Sequence, residues 1–150
     1  NLKMDYSLEL DCNEKNFFKI LTNYENLPKY LPRQLKKIEI LDEHGSYTTI
    51  EATASFKTLI KKEFSQKIII EKKSECDISA KILDGFAKGT SVTISILIEK
   101  EKTLCNINSE IKLSLKTVIL YPIIKREYNS LITGVFRRIS IDAKPAKVQV

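Results

Sequence analysis

Apolar and polar residues alternate along most of the chain, and this two-residue period predicts β-strands with one buried face. The first run of apolar positions is Met4, Tyr6, Leu8, Leu10 and Cys12, with charged or polar residues between them. Side chains of a strand point to opposite faces in turn, so this run predicts a first strand with one wet face.

Six further strands are predicted after the first third of the chain, at residues 35–41, 50–56, 59–73, 74–83, 92–98 and 107–115. The stretches "DEHGS", "DGFAKGT" and "EKEKT" between them are typical of turns, and the glycines of "DGFAKGT" favour positive φ. Strands joined by short turns pair antiparallel, so the pattern predicts a meander. Lys62 and Gln66 share the parity of the apolar Phe64, which predicts inward polar groups unless a bulge reverses the face.

Two helical segments are predicted directly after the first strand. Asn13 is a suitable N-cap for a helix with the apolar stripe Phe17, Ile20, Leu21 and Tyr24. Pro28 and Pro32 prevent that helix from continuing. We therefore expect "ENLPKYLP" to be a short second helix or turn that begins at Asn26 or Leu27 and ends near Leu31.

A long helix is predicted at the C-terminal end of the chain. Its apolar positions recur at helical spacing, at Leu120, Ile124, Tyr128, Leu131, Val135 and Ile139. Pro122 suits its first turn. The element order predicts one α+β domain over residues 1–150, a curved antiparallel sheet of about seven strands covered by this helix. The tail from about residue 141 is expected to be loose.

The net charge of +6 is unevenly distributed. From Lys116 onward there are seven basic and two acidic residues, which leaves +1 for the first 115 residues. A second cluster without acidic residues is Lys29, Arg33, Lys36 and Lys37. This asymmetry favours an anionic partner such as phospholipid, RNA or an acidic protein. Lysines that merely keep the protein soluble explain it equally well.

The usual catalytic and metal-binding patterns are missing from the sequence. The three cysteines, Cys12, Cys76 and Cys105, are far apart, so we interpret them as buried apolar side chains in a reducing cytoplasm. The single histidine, His44, is placed in a turn, so a Ser–His or Cys–His pair is not readily built. No metal site, no cofactor and no catalytic residue is therefore predicted.

Three stretches of the chain resemble the START-like superfamily, which has the helix-grip fold and includes the birch-pollen-allergen-like proteins. They are "FFKILTNYENLPKYLPRQLKKIEIL", "LDGFAKGTSVTISILIEKEKTLCNINSEIKLSL" and "YPIIKREYNSLITGVFRRI". The chain is most similar to the branch with the polyketide cyclase/dehydrase, coenzyme-Q-binding and ribosome-association toxin proteins. A tryptophan frequent in relatives near "LPKYLP" is replaced here by Tyr30.

The resemblance implies a cavity between the sheet and the long helix that holds a lipid- or quinone-like molecule. Ala52 and Ala54 support it independently, because small inward side chains leave space, and Ser109, Tyr121 and Tyr128 offer polar groups. The full set of expected lining residues is Ala52, Ala54, Phe56, Phe64, Ile94, Ile96, Ile107, Ser109, Ile111, Tyr121, Ile124, Tyr128, Leu131 and Val135. Ordinary core packing remains the alternative for each of them.

Two other functions stay open at this stage. A cyclase-type enzyme would use Tyr121 or Tyr128 as general acid. A module that contacts RNA or the ribosome would rely on the basic helix. For the binding protein we expect a cytoplasmic location, with peripheral contact to an anionic membrane as a hypothesis. The expected docking residues are Lys29, Tyr30, Arg33, Arg137 and Arg138.

Overall fold

An antiparallel sheet dominates the computed structural model, which describes residues 1–55 and 63–144. Within these residues the strands are β1 (Leu2–Leu10), β2 (Leu35–His44), β3 (Tyr47–Ser55), β4 (Glu63–Lys72), β5 (Asp77–Ile82), β6 (Ser91–Glu99) and β7 (Lys102–Ile111). Their spatial order is β1-β7-β6-β5-β4-β3-β2, so β2 to β7 form a meander and β1 lies beside β7. The predicted α+β helix-grip architecture is confirmed.

The helical segments cover one face of the sheet, and the first two of them connect its edge strands β1 and β2. They are α1 (Glu14–Leu21), a first 3₁₀ helix (Tyr24–Lys29), a second 3₁₀ helix (Leu115–Leu120) and α2 (Tyr121–Asp142). Asn13 caps α1 as predicted, since its side-chain oxygen accepts a hydrogen bond of 2.9 Å from the Asn16 amide. The first 3₁₀ helix begins two residues before the predicted start and includes Pro28.

The register of the sheet places most apolar residues of the strands on one face, here called the inner face; Ile69, Leu97 and Leu104 are on the other. Ile107 of β7 pairs with Tyr6 of β1 on one side and with Ile94 of β6 on the other. In β4, Gln66 pairs with Ala52 in a β3–β4 register that is regular along its length. The predicted inward direction of Gln66 is therefore confirmed, and Lys62 and Phe56 lie outside the described residues.

The core is densest where α1 meets the C-terminal half of α2. The rings of Phe17 and Phe136 pack edge to face with centroids 5.4 Å apart. Ile139 of α2 and Ala143 just after it are fully buried there. The Asn13 amide donates to the Ala143 carbonyl at 3.1 Å, so the start of α1 and the end of α2 are also joined through the backbone.

Several predicted element boundaries were wrong: β3 begins at Tyr47 and not at residue 50, β5 spans Asp77–Ile82 and not 74–83, and β7 begins at Lys102 and not at residue 107. Two further differences have a clear local cause. Strand β7 ends at Ile111 and not at residue 115, because the backbone of Lys112 bonds with the Thr90 hydroxyl and the Leu113 amide donates to Tyr121 Oη. These bonds take the chain out of the sheet. At the other hairpin, β2 continues to His44, so the turn is only Gly45 and Ser46. Gly45 has a φ of +62°, which suits a glycine at that turn.

The cysteines follow the predicted interpretation at two of three positions. Cys12 and Cys105 are buried, and Cys76 is half-buried. Burial raises the pKa of the Cys105 thiol to about 12, so it stays protonated and unreactive at neutral pH.

Candidate functional site

The two ends of the inner face differ in how completely they are covered. At one end, here called the packed end, the inner side chains are buried against α1 and the C-terminal half of α2; they are Leu8, Leu10, Ile50, Ile70, Ile78, Ile96 and Cys105. At the other end, here called the open end, they are only half-buried; they are Ala52, Ala54, Phe64, Gln66, Ile68, Val92 and Ile94. Apolar groups that face the helix side of the sheet therefore remain partly exposed to water.

The course of α2 explains this difference. The helix is tied to β1 and β7 at one side of the sheet: Tyr6 Oη and Thr133 Oγ1 share a hydrogen bond of 2.6 Å, and the hydroxyls of Ser109 and Tyr128 share another. Ile107, Ser109 and Ile111 of β7 are accordingly buried. Strands β3 to β6 carry the half-buried inner side chains of the open end, and this part of the inner face is here called the groove.

The connection between β5 and β6 packs against the inner face at the open end. Phe86 packs its ring edge to face on Phe64, with centroids 5.2 Å apart. Gly85, with a φ of +78°, lies against the side chain of Gln66. The Phe86 carbonyl accepts a hydrogen bond of 2.9 Å from the Ser114 amide, which joins the loop to the chain that leads into α2. Sequence reasoning missed Phe86, although its place in the glycine turn "DGFAKGT" was visible.

The polar side chains of the open end differ in their hydrogen-bond partners. Tyr121 Oη accepts from the Leu113 amide at 2.9 Å, so this hydroxyl holds the backbone. Tyr128 shares its hydrogen bond with Ser109, and burial raises the pKa of its phenol despite that bond. Tyr128 is therefore a neutral hydrogen-bonding group at physiological pH. Within the described part of the chain, Nε2 of Gln66 is buried without a hydrogen-bond partner.

The expected lining residues are divided between the two ends of the inner face. Ala52, Ala54, Phe64 and Ile94 lie on the inner face of the open end, with Tyr121, Ile124 and Tyr128 half-buried on α2. Their role in lining a ligand site stays a prediction. Ile96 and Val135 are buried away from it, at the packed end and in the C-terminal half of α2. Leu131 is 45% exposed, so it lies at the margin of the covered helix face.

Tyr30 was expected at the surface, and this prediction was wrong. The residue is only 8% exposed and belongs to the core. Its hydroxyl donates to Asp142 Oδ2 at 2.7 Å, and its carbonyl accepts from Arg138 Nε at 2.9 Å. These two contacts at the end of α2 draw the ring inward from a sequence neighbourhood of basic residues.

The other expected docking residues are exposed, but two of them have structural contacts. Arg138 makes the bond to Tyr30, and Lys29 Nζ lies 3.3 Å from Asp142 Oδ2. Arg33 and Arg137 are exposed. Their role in docking stays a prediction.

Two clefts lie away from the inner face of the open end. One, of about 330 Å³, lies between the first 3₁₀ helix and the β2–β3 hairpin and is lined by polar residues such as Glu25, Glu43 and Lys72. The other, of about 200 Å³, is lined largely by outward-facing residues of β3 to β6. In residues 1–55 and 63–144, no three His, Cys, Asp or Glu side chains are grouped as metal ligands. No helix in those residues has the length and apolar character needed to cross a membrane.

No protein-family model and no curated protein matches the sequence. Solved structures match it in fold. The Zhui aromatase/cyclase of Streptomyces sp. R1128 superimposes with a TM-score of 0.75 and 9% identity over 99% of each chain. A START superfamily protein of Mycobacterium smegmatis gives a TM-score of 0.70 and 12% identity, over 94% of this chain and 96% of that one.

A third solved structure is norcoclaurine synthase of Thalictrum flavum in complex with dopamine and hydroxybenzaldehyde. It gives a TM-score of 0.70 and 14% identity, over 96% of this chain and 88% of that one. At such low identities the likeness concerns the fold. The resemblance to START-like proteins that the sequence indicated is confirmed at this level.

Proposed function

We propose that this protein binds a small, largely apolar molecule in the groove at the open end of the sheet. The observation that carries the proposal is the contrast between half-buried Ile68, Val92 and Ile94 and the buried residues of the packed end. Covering exposed apolar surface gains roughly 25 cal/mol per Å² before the costs of ordering and immobilisation. A ligand in the groove would complete the cover that α2 provides elsewhere.

Proteins of the same fold support this function. The norcoclaurine synthase structure holds two small aromatic molecules, and the Zhui protein is an aromatase/cyclase. These facts belong to those proteins, and for this chain they favour a small organic ligand. A lipid- or quinone-like molecule fits the proposal because the groove is mostly apolar with few polar groups.

The polar groups of the groove would orient the ligand. A neutral Tyr128 with its Ser109 partner can donate a hydrogen bond, and Gln66 can donate a second one after a side-chain rotation. Both would suit a carbonyl oxygen on an otherwise apolar molecule. A cyclase-type activity is the alternative, and it would depend on Tyr128, since the Tyr121 hydroxyl is bonded to the backbone.

The test is to fill the groove with a larger side chain. Ala52→Phe places a ring on the inner face next to Gln66, and we expect it to weaken binding of a short-chain ubiquinone at least about tenfold by steric exclusion. Thr53→Phe is the matched control, because the neighbouring residue points to the outer face. Fluorescence titration with each purified protein measures both affinities.

Three results would count against the proposal. The first is that the unaltered protein binds neither the quinone nor a long-chain fatty acid. The second is that the two variants bind equally well. The third is that native mass spectrometry of protein from its source cells shows only the mass of the protein without ligand. Thermal unfolding of Ala52→Phe shows whether weaker binding reflects exclusion or misfolding. If the variant is unfolded, Ala54→Leu repeats the test with a smaller increase in volume.

A further inference from the structure

Three large apolar side chains project from the second 3₁₀ helix into solvent. Leu115 is 91% exposed, Ile119 is 78% exposed and Val118 is 44% exposed. They follow each other in one short element, and together they are here called the apolar tip. Single exposed apolar residues are common on protein surfaces, whereas three within five consecutive residues form a candidate interaction site.

The tip is held firmly by polar contacts on its inner side. Thr117 Oγ1 donates to the Ser114 carbonyl at 3.0 Å, and the Thr117 amide donates to the same carbonyl at 2.9 Å. Just before the tip, the Ser114 amide donates to the Phe86 carbonyl and the Leu113 amide donates to Tyr121 Oη. The structure therefore displays Leu115, Val118 and Ile119 on a fixed support.

Basic residues flank the tip in the sequence. The segment 112–126 contains four basic residues, Lys112, Lys116, Lys125 and Arg126, and no acidic one. Arg126 is paired with the following Glu127 at 2.8 Å, and Lys112 lies 4.0 Å from Glu110. Lys116 and Lys125 are exposed and remain close in sequence to the apolar side chains.

We propose that the apolar tip docks this protein on an anionic lipid bilayer, with Leu115, Val118 and Ile119 inserted among the acyl chains and the lysines at the headgroups. Peripheral binding of this kind combines buried apolar area with attraction to anionic lipid. This surface differs from the one that the sequence suggested around Tyr30.

Other occupants fit the tip less well. Single-stranded RNA stacks its bases on aromatic side chains, and the tip has aliphatic ones. A second copy of the chain would bring two sets of lysines together across a symmetric interface. A stable protein partner needs roughly 800 Å² of each surface with enriched aromatic residues, which three side chains do not provide.

Docking through the tip would also bring the groove to the membrane. The second 3₁₀ helix runs directly into α2, whose Ile124 and Tyr128 border the open end. An apolar ligand could then pass between bilayer and groove without crossing water. The proposed docking is inferred from the exposed apolar side chains and the lysines, and it does not depend on the proposed function.

The experiment is co-flotation of the purified protein with phosphatidylcholine vesicles that contain or lack phosphatidylserine. We expect the double variant Leu115→Ser, Ile119→Ser to lose about 100-fold in partitioning, roughly tenfold per side chain. Lys116→Gln with Lys125→Gln should lose about 30-fold on anionic vesicles and nothing on neutral ones. Exposed positions are replaced in both, so the fold should be retained.

The matched control is Arg33→Gln with Arg137→Gln, which removes the same charge from the other expected docking surface and should leave partitioning unchanged. An equal loss in this control, full binding by the serine variant, or no binding of the unaltered protein to either vesicle would overturn the proposal. If only the lysine variant weakens binding, and it does so equally for ribosomal RNA, the surface binds RNA and the membrane proposal is wrong. Quinone titration of the serine variant reports on the groove separately.

Discussion

Tyr30 joins the segment after α1 to the end of α2 through two different groups. Its hydroxyl donates to Asp142, and its backbone carbonyl accepts from Arg138. The Tyr30 hydrogen bond, followed by Lys29, lowers the pKa of the Asp142 carboxyl. Because the hydrogen bond uses only the ring hydroxyl, Tyr30→Phe can remove it while the packing and the Arg138 contact stay in place.

Tyr30→Phe should lower the melting temperature at neutral pH by a few degrees. Because the pKa of Asp142 is lower in the folded protein, its ionised carboxyl stabilises the fold at a pH above its ordinary pKa of 3.8. This contribution is lost as the pH falls through the lower pKa of the folded state. The difference in stability between Tyr30→Phe and the unaltered protein should therefore become smaller below pH 3.8. Urea unfolding across this pH range measures it.

The control for Tyr30 is Lys29→Gln, which removes an exposed ion pair from the same carboxylate. We expect a smaller effect, because exposed pairs contribute little. A difference between the unaltered protein and the Tyr30→Phe variant that stays constant down to the lowest pH would show that the Asp142 charge has no part in it.

At the scale of elements, the β5–β6 loop owes its position to a glycine. Gly85 has a φ of +78°, and a Cβ added there would lie 2.9 Å from Gln66 Nε2. Gly45 in the β2–β3 turn has a similar φ of +62° but nothing within 4 Å of such a Cβ. The two positions therefore separate the conformational cost of a side chain from its steric cost.

Gly45→Ala should cost about 1 kcal/mol in the free energy of unfolding, the cost of a left-handed alanine. Gly85→Ala should cost more than Gly45→Ala, because the Gln66 side chain must also move. In a Gln66→Ala background, the cost of Gly85→Ala should fall to that of Gly45→Ala. Urea unfolding of the five proteins measures these free energies. Equal costs of the two glycine substitutions would show that the contact with Gln66 adds no steric cost.

The elements themselves were largely predictable, because alternation along a strand is a local property. The alternation along each strand placed Gln66, Ala52 and Ile94 on the inner face without any knowledge of the neighbouring strands. The alternation of apolar and polar residues wrongly extended the last strand to Leu113 and Leu115. The chain leaves the sheet there because Thr90 and Tyr121 form hydrogen bonds with the backbone. No local pattern contains those bonds.

The site was less predictable than the elements. Tyr30 lies among basic residues, and its burial depends on Asp142, 112 positions away. Ile96 and Ile94 are equivalent in the sequence, yet Ile96 is buried and Ile94 half-buried. Which of them borders the groove depends on the path of α2, which is a property of the whole molecule.

At the scale of the whole molecule, stability and the proposed binding are provided by opposite ends of one inner face. The packed end buries α1 and the C-terminal half of α2 around Phe17 and Ile139. The open end leaves Ile94 and its neighbours partly exposed. Removing a side chain should therefore have different consequences at the two ends.

Ile139→Ala should reduce the free energy of unfolding by about 2–5 kcal/mol, since a fully buried side chain leaves a cavity behind. Ile94→Ala should cost less, about 1–2 kcal/mol, because its side chain is only partly buried. An added quinone should raise the melting temperature of Ile139→Ala as much as that of the unaltered protein, and that of Ile94→Ala by less, because Ile94 forms part of the groove wall. Equal destabilisation of the two variants, with equal stabilisation by the quinone, would mean that the open end is packed in solution and that the groove is part of the core.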